Sequence, residues 1–213
     1  DRMVERIAPL EYDTFLAKVI EGSENVILPV SFFHRDVTID LDENRNEILQ
    51  ANSLNLAGRE EGAVVPFANV VEMPTELFSK SAAGLGHISF GTDTDGKIRR
   101  EMLFYEYDGF LYPSYALATA AMALGIAPSD ISVTLGKEMR LGPYVVPLSK
   151  DSSARIRFKG PRGVFPVYSF YNMLIMANTP EKAKDIFKDK IVLFSTSASG
   201  LAPLFSTPVD SSL

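Results

Sequence analysis

The sequence predicts an α/β fold: a mixed, mostly parallel sheet flanked by helices, with an inserted antiparallel hairpin portion. Three observations predict it. Helix-period and strand-period segments alternate along most of the 213 residues, the pattern of helices laid against a sheet. Residues 25–33 and 191–194 are apolar and rich in β-branched side chains, as buried strands are. Asp95-Gly96 separates two strand-like stretches, residues 86–90 and 97–105, as a hairpin turn does.

Taken in order, Asp13 is suited to cap a helix through about Glu21, with Phe15, Leu16, Val19 and Ile20 at helical spacing and Gly22 as its stop. Residues 25–33 follow as a buried strand. Residues 34–60 are polar, with charges concentrated at 36–47, and read as a surface excursion holding one helix around 47–57. Residues 63–67 form a short strand, and Thr75 caps a helix reaching about Ala83. After the Asp95-Gly96 hairpin, a second turn at Tyr107-Asp108-Gly109 leads to Pro113. That proline suits a first helical turn, and an Ala-rich helix runs from Ser114 to Leu124 and stops at Gly125. Strands are expected at 131–135, 144–147 and 154–158. Ser169 caps a helix through about Met176, with Phe170, Met173, Leu174 and Ala177 as its stripe. Thr179-Pro180 starts another, and residues 191–194 form a central strand. A single domain spanning residues 1–213 accounts for this arrangement.

Composition narrows the function. The chain is 46% hydrophobic and 23% charged, with a net charge of -6, so it lacks the excess of Lys and Arg that phosphate backbones attract, and no nucleic-acid partner is expected. Cysteine is absent, which excludes disulfides, thiolate metal sites and cysteine nucleophiles. With only two histidines, His34 and His87, no multi-histidine metal site can be built. Neither a metal nor a cofactor is expected. Residues 109–129 and 163–180 are uncharged, but prolines break both short of the ~20 apolar residues a spanning helix needs. Any membrane anchor is expected beyond the ends of the chain.

Several residues invite a chemical reading. Gly91-Thr-Asp-Thr-Asp-Gly-Lys97-Ile98 approaches a phosphate-binding loop, but Ile98 stands where a metal-binding hydroxyl belongs and two carboxylates would repel phosphate. Asp93 and Asp95 resemble the aspartate pair of haloacid-dehalogenase-like phosphatases, except that Lys97 occupies the Thr or Val position. A calcium loop would need acids at Gly91 and Met102. The simplest role for both aspartates is to accept backbone N–H bonds within the turn. His87 shares a strand face with Ser89, opposite Ile88 and Phe90, and is expected to be a hydrogen-bonded structural group, with pH sensing as the alternative. Arg155, Arg157 and Lys159 alternate with Ile156 and Phe158. They form either a solvated face or, with Arg99, Arg100 and Arg162, a seat for an anion. The hydroxyl-rich loop Ser195-Thr-Ser197-Ala-Ser199 follows a predicted strand, where open α/β sheets bind ligands. It lacks the glycines of a nucleophile elbow.

Two stretches together resemble one family. Gly86-His-Ile-Ser-Phe-Gly-Thr-Asp-Thr-Asp-Gly-Lys-Ile-Arg-Arg100 is similar to G-H-x-N-x-x-x-D-x-D-G-x-x-R-R. Lys190-Ile-Val-Leu-Phe-Ser-Thr-Ser-Ala-Ser-Gly-Leu-Ala-Pro-Leu-Phe-Ser-Thr-Pro208 is similar to K-I-V-L-I-G-x-T-A-x-G-L-x-D-L-F-x-T-P. Both patterns belong to the second type of CHASE domain, the extracytoplasmic sensory module of bacterial receptor cyclases and histidine kinases. Lys159-Gly160-Pro161 also matches a strand ending in R-G-P. The chain departs from the pattern at Ser89 (usually Asn), Ser195 (usually Gly) and Pro203 (usually Asp). The resemblance implies a non-enzymatic extracytoplasmic sensor domain lacking the family's first strand and helix. Membrane segments would flank it, and a cytoplasmic kinase, nucleotide cyclase or diguanylate cyclase would be its output. It implies an unknown small-molecule or protein signal and homodimers as partners. The ligand-contacting positions are expected among His87, Asp93, Asp95, Arg99, Arg100, Ser197 and Thr207, with no catalytic residue. A dimerisation module without a small ligand is the alternative, and a phosphatase-like hydrolase using Asp93 and Asp95 a further one.

Overall fold

The computed structural model describes residues 11–37, 41–161, 163–196 and 205–210 and divides into two compact units. Asp1–Phe90 and Glu101–Ala154 make the first; Gly91–Arg100 and Arg155–Leu213 make the second. The expected mixture of helices with parallel and antiparallel strands is present.

The first unit opens with α1 (Glu11–Ser23). Asp13 sits inside its first turn, where a carboxylate favours the positive end of the helix dipole. The helix passes Gly22, and Glu24 takes the left-handed turn instead (φ 53°). Only Ala17 of α1 is buried. β1 (Ile27–Phe33) is the expected buried strand. The helix expected at 47–57 is instead α2 (Glu43–Gln50), because Asp42 Oδ1 accepts the Arg45 N–H at 2.9 Å and starts it early. The rest of that span becomes β2 (Asn55–Arg59). The strand expected at 63–67 gives way to β3 (Phe67–Ala68) and β4 (Val70–Glu72). Pro66 has no N–H to offer a ladder, and only its carbonyl takes part, accepting from Glu106 N–H at 2.9 Å. α3 (Glu76–Ser81) follows Thr75, whose side chain makes no capping bond.

β5 (Gly84–His87) runs parallel to β1, whose other edge pairs antiparallel with β4. The hairpin expected at Asp95-Gly96 is therefore not formed, because the strand before the turn has found a non-local partner. The antiparallel insert lies further on. After β6 (Arg100–Met102), β7 (Phe104–Tyr107) and β8 (Phe110–Pro113) pair across Asp108-Gly109. Both turn residues have positive φ, 49° and 77°, the mirror-image turn that matches strand twist and for which Asp-Gly is suited. Pro113 ends β8 rather than starting a helix. Ser114 is the cap of α4 (Tyr115–Ala123), its Oγ accepting Leu117 N–H at 3.2 Å.

A meander follows: β9 (Ile131–Leu135), β10 (Glu138–Leu141) and β11 (Tyr144–Pro147), with β2 parallel to β9 on the outer side. β10 is the unexpected member, its polar Glu138 and Arg140 alternating with buried Met139 and Leu141. β12 (Ser153–Arg155), shorter than the strand expected at 154–158, pairs with β6. Two apolar clusters fill this unit. Val30, Phe32, Leu49, Leu85 and Tyr112 make one; Phe104, Leu111, Leu117, Ile131, Val133 and Leu135 make the other. α4 is Ala-rich and lies close on β5: a Cβ built on Gly86 would meet Tyr115 Cα at 2.6 Å.

The second unit contains α5 (Phe170–Met176), with Ser169 Oγ accepting Asn172 N–H at 3.2 Å, and α6 (Pro180–Phe187). α5 was legible from its Ser169 cap and apolar stripe, and α6 from Thr179-Pro180 at its start. The central strand expected at 191–194 is not there: these residues join no ladder, and their side chains are 54% to 80% exposed. A strand exists only where a neighbour takes its N–H and C=O groups, and none among the described residues does. No described residue of this unit is buried, so a strand that must be covered on both faces has nothing to enter. Among the described residues no helix is long and apolar enough to cross a membrane.

Candidate functional site

The loop at 91–100 is built around its two aspartates. Asp93 N–H donates to the Lys97 carbonyl and Gly96 N–H to the Asp93 carbonyl, each at 2.9 Å, and Asp95 Oδ1 accepts Lys97 N–H at 3.2 Å. Arg99 then folds back over the turn. Its Nη1 donates to Asp93 Oδ2 and Asp95 Oδ1, and its Nη2 to Asp95 Oδ2, all at 2.7 Å. A planar guanidinium gripping one carboxylate with two parallel bonds is the strong form of ion pair. The Arg99 hydrogen bond holds the Asp95 carboxyl well below the usual carboxylate range, and the two carboxylates, Asp95 foremost, push Arg99 above its ordinary value.

This clamp decides what the loop can do chemically. Both aspartates are engaged by Arg99, so neither is presented as a free nucleophile or cation ligand. Arg99 is equally engaged and would receive an anion only by leaving the carboxylates. Because the clamp is exposed to solvent, its worth to stability is small and screened by salt. Asp95→Asn is expected to lower the melting temperature only slightly at low ionic strength. At about 1 M salt, where screening reaches a few ångströms, the difference is expected to close.

Two segments of the same unit hold the loop. Ile98 N–H donates to the Ser206 carbonyl and Ile156 N–H to the Arg99 carbonyl, both at 3.0 Å. The Ser206 contact brings Thr207 into the loop's surroundings. Thr207 Oγ1 is occupied locally, donating to the Asp210 carbonyl at 3.2 Å and accepting its N–H at 3.1 Å. Arg100 is also engaged. On the neighbouring segment Arg155, Arg157 and Lys159 are exposed while Ile156 and Phe158 are half-buried, the alternation expected of them. Ser197, Arg162 and Pro203 lie outside the described residues.

His87 belongs to the other unit and is placed differently from expectation. It is 1% exposed, whereas Ile88 and Phe90 are 53% and 44% exposed. The strand alternates as expected, but it is the histidine face that is buried. The ring stands edge-on to Phe32 at 6.1 Å and to Tyr105 at 4.9 Å. Neither ring nitrogen completes a hydrogen bond with the described residues, contrary to the structural role expected of it. Burial drives its pKa down from 6.5 to about 4, opposed weakly by the Ser89 backbone. Ser89 itself is spent on β1, its Oγ accepting Phe32 N–H at 3.0 Å and donating to the Phe32 carbonyl at 3.2 Å.

Three further groups near His87 in the fold were not singled out by sequence. Ser114 is fully buried and bridges His87 through the backbone. Burial pushes the Glu101 carboxyl up, with a hydrogen bond to Ser114 pulling the other way. Tyr105 is pushed up by burial. Ser114 had a signal, standing between Pro113 and an Ala-rich helix. Glu101 had none beyond its place after Arg99-Arg100. Among the described residues no group of three or more His, Cys, Asp or Glu is placed to hold a metal ion.

Comparison with known proteins completes this picture. A family model described as CHASE2 domain matches residues 2–213. No curated protein and no solved structure matches the chain.

Proposed function

The chain belongs to the CHASE2 domain family, extracytoplasmic sensory domains of receptors, and from that premise we propose that it is the signal-receiving part of a bacterial transmembrane receptor whose cytoplasmic output is a kinase or cyclase. The observation that carries this is the extent of the match: the sensory family accounts for residues 2–213. The Arg99 clamp supports it against a phosphatase-like reading, since Asp93 would have to be freed from a 2.7 Å ion pair before it could attack phosphorus.

In this reading Asp93, Asp95, Arg99, Arg100 and Thr207 contribute to the surface that meets the signal. A ligand shifts a receptor only through unequal affinity for two arrangements. The closed clamp and one opened by an anion competing for Arg99 are two such arrangements. The test is a thermal-shift screen of the purified domain against carboxylate and phosphate metabolites. A ligand at about 100 times its Kd adds about 2.7 kcal/mol, which for a chain of this size raises the melting temperature by several degrees. That shift is expected to disappear in Arg99→Ala. Phosphoester turnover by the purified protein, lost in Asp93→Asn, would overturn the reading.

A further inference from the structure

We propose that the outward face of α1 is a self-association surface, on which α1 of a second copy of this chain docks antiparallel. Tyr12, Phe15, Leu16 and Val19 recur at i, i+3, i+4 and i+7, the spacing of an apolar seam on one face of a helix. Such a stripe ordinarily faces the core. Here it faces away: these four side chains are 83%, 69%, 49% and 50% exposed, while Ala17, on the opposite side of the helix, is 2% exposed. α1 is thus already seated on its own unit through its narrow side, and its broad apolar side is left over.

The charges beside the seam point to an identical helix running the other way. Glu11 and Lys18 are both exposed and, seven residues apart, lie along the same edge of the stripe. A two-fold axis perpendicular to a pair of helices brings the same edge of each together with direction reversed. Glu11 of each copy then comes level with Lys18 of the other, and the pairing occurs twice. The seam and this edge are centred within about one residue of each other, a rise of about 1.5 Å along the helix. A parallel pair would set the Glu11 edge beside the opposite edge, which carries Asp13. The inference is independent of which signal the domain receives.

Sedimentation velocity of the purified chain over about 1 µM to 1 mM, the range of modest affinities, is expected to show a monomer–dimer equilibrium. Phe15→Glu, at an exposed site that the fold does not depend on, is expected to weaken it at least about tenfold, as burying an unpaired charge does. Tyr12→Glu serves as a second variant, with circular dichroism confirming that both remain folded. Lys18→Glu is expected to weaken the dimer, and Glu11→Lys combined with Lys18→Glu to restore it. A chain monomeric to 1 mM overturns the proposal, as does a dimer indifferent to Phe15→Glu. Failure of the double swap to restore association overturns the antiparallel arrangement. Flotation of the monomer with phosphatidylcholine vesicles would assign the stripe to a lipid surface instead.

Discussion

Gly86→Ala is expected to cost the first unit about 3 kcal/mol or more, enough to leave much of it unfolded under conditions where the wild type is native. The reason is contact, not backbone conformation. Gly86 lies in the middle of β5, between β1 and α4. A methyl group there would stand 2.6 Å from Tyr115 Cα, 2.9 Å from Tyr115 N and 3.1 Å from Ala118 Cβ. The first two are backbone atoms of the opening turn of α4, held by the Ser114 cap. They cannot rotate aside as the end of a long side chain would. Either α4 lifts from the sheet, opening the core around Leu117 and Ala121, or β5 shifts against β1 and breaks a parallel ladder of four paired residues. The measurement is a urea titration followed by circular dichroism. Gly84→Ala is the control on the same strand: its nearest neighbour would be Asn52 Oδ1 at 3.6 Å, an ordinary contact. Equal losses at the two positions would remove close packing of α4 as the explanation.

That glycine shows how the sequence could be read and where it could not. The small residues of α4 announced a helix made to lie close on a sheet, and Gly86 is the complementary gap on the strand below. Local signals of this kind were reliable. Asp108-Gly109 turned the chain, Ser169 capped a helix, and residues 27–33 and 131–135 became strands. The failures share one cause, which is that partners distant in sequence decided the outcome. Asp95-Gly96 does turn, yet β5 pairs with β1, some 57 residues before it. Residues 55–57 were read as the end of a helix, but β9 offers them an edge. Residues 191–194 have every property of a central strand except a neighbour. For α1 the period was right, but periodicity locates a stripe without saying what covers it.

The site was legible to a similar degree. Asp95 accepts the Lys97 N–H through its side chain, as its residue type suggested, whereas Asp93 joins the turn through its backbone and gives its carboxylate to Arg99. The third member of the arrangement, Arg99, stood four residues after Asp95 but in a loop, where helical spacing rules give no guidance about reach. His87 was read in the right register and as a structural group; it is enclosed by β1 and Tyr105, but its ring nitrogens lack the hydrogen bonds expected of it.

Burying a histidine makes the first unit sensitive to acid. In the unfolded chain the imidazole takes up a proton near pH 6.5, whereas in the folded protein it does so only near pH 4. Between these values the unfolded state binds the proton and the folded state does not. Stability from this group is therefore complete above pH 6.5, falls as the pH drops through the window, and levels off below about pH 4. A gap of about 2.5 pH units at about 1.4 kcal/mol each amounts to about 3 kcal/mol. Other groups titrate nearby and must be separated from it. The carboxyl of Glu101, raised by burial, gains stability as the pH falls and works in the opposite sense. Asp95, held low by Arg99, loses its contribution only below the window. Both are common to the wild type and a His87→Leu variant, so the difference between the two isolates the histidine. At neutral pH the variant is expected to match or exceed the wild type, since it removes two ring nitrogens that make no hydrogen bond. As the pH falls from 6.5 to 4, urea midpoints are expected to drop further for the wild type, by an amount equivalent to about 3 kcal/mol. Parallel losses in the two proteins would mean that His87 exchanges protons as readily in the folded unit as in the open chain, which its position between Phe32 and Tyr105 does not allow.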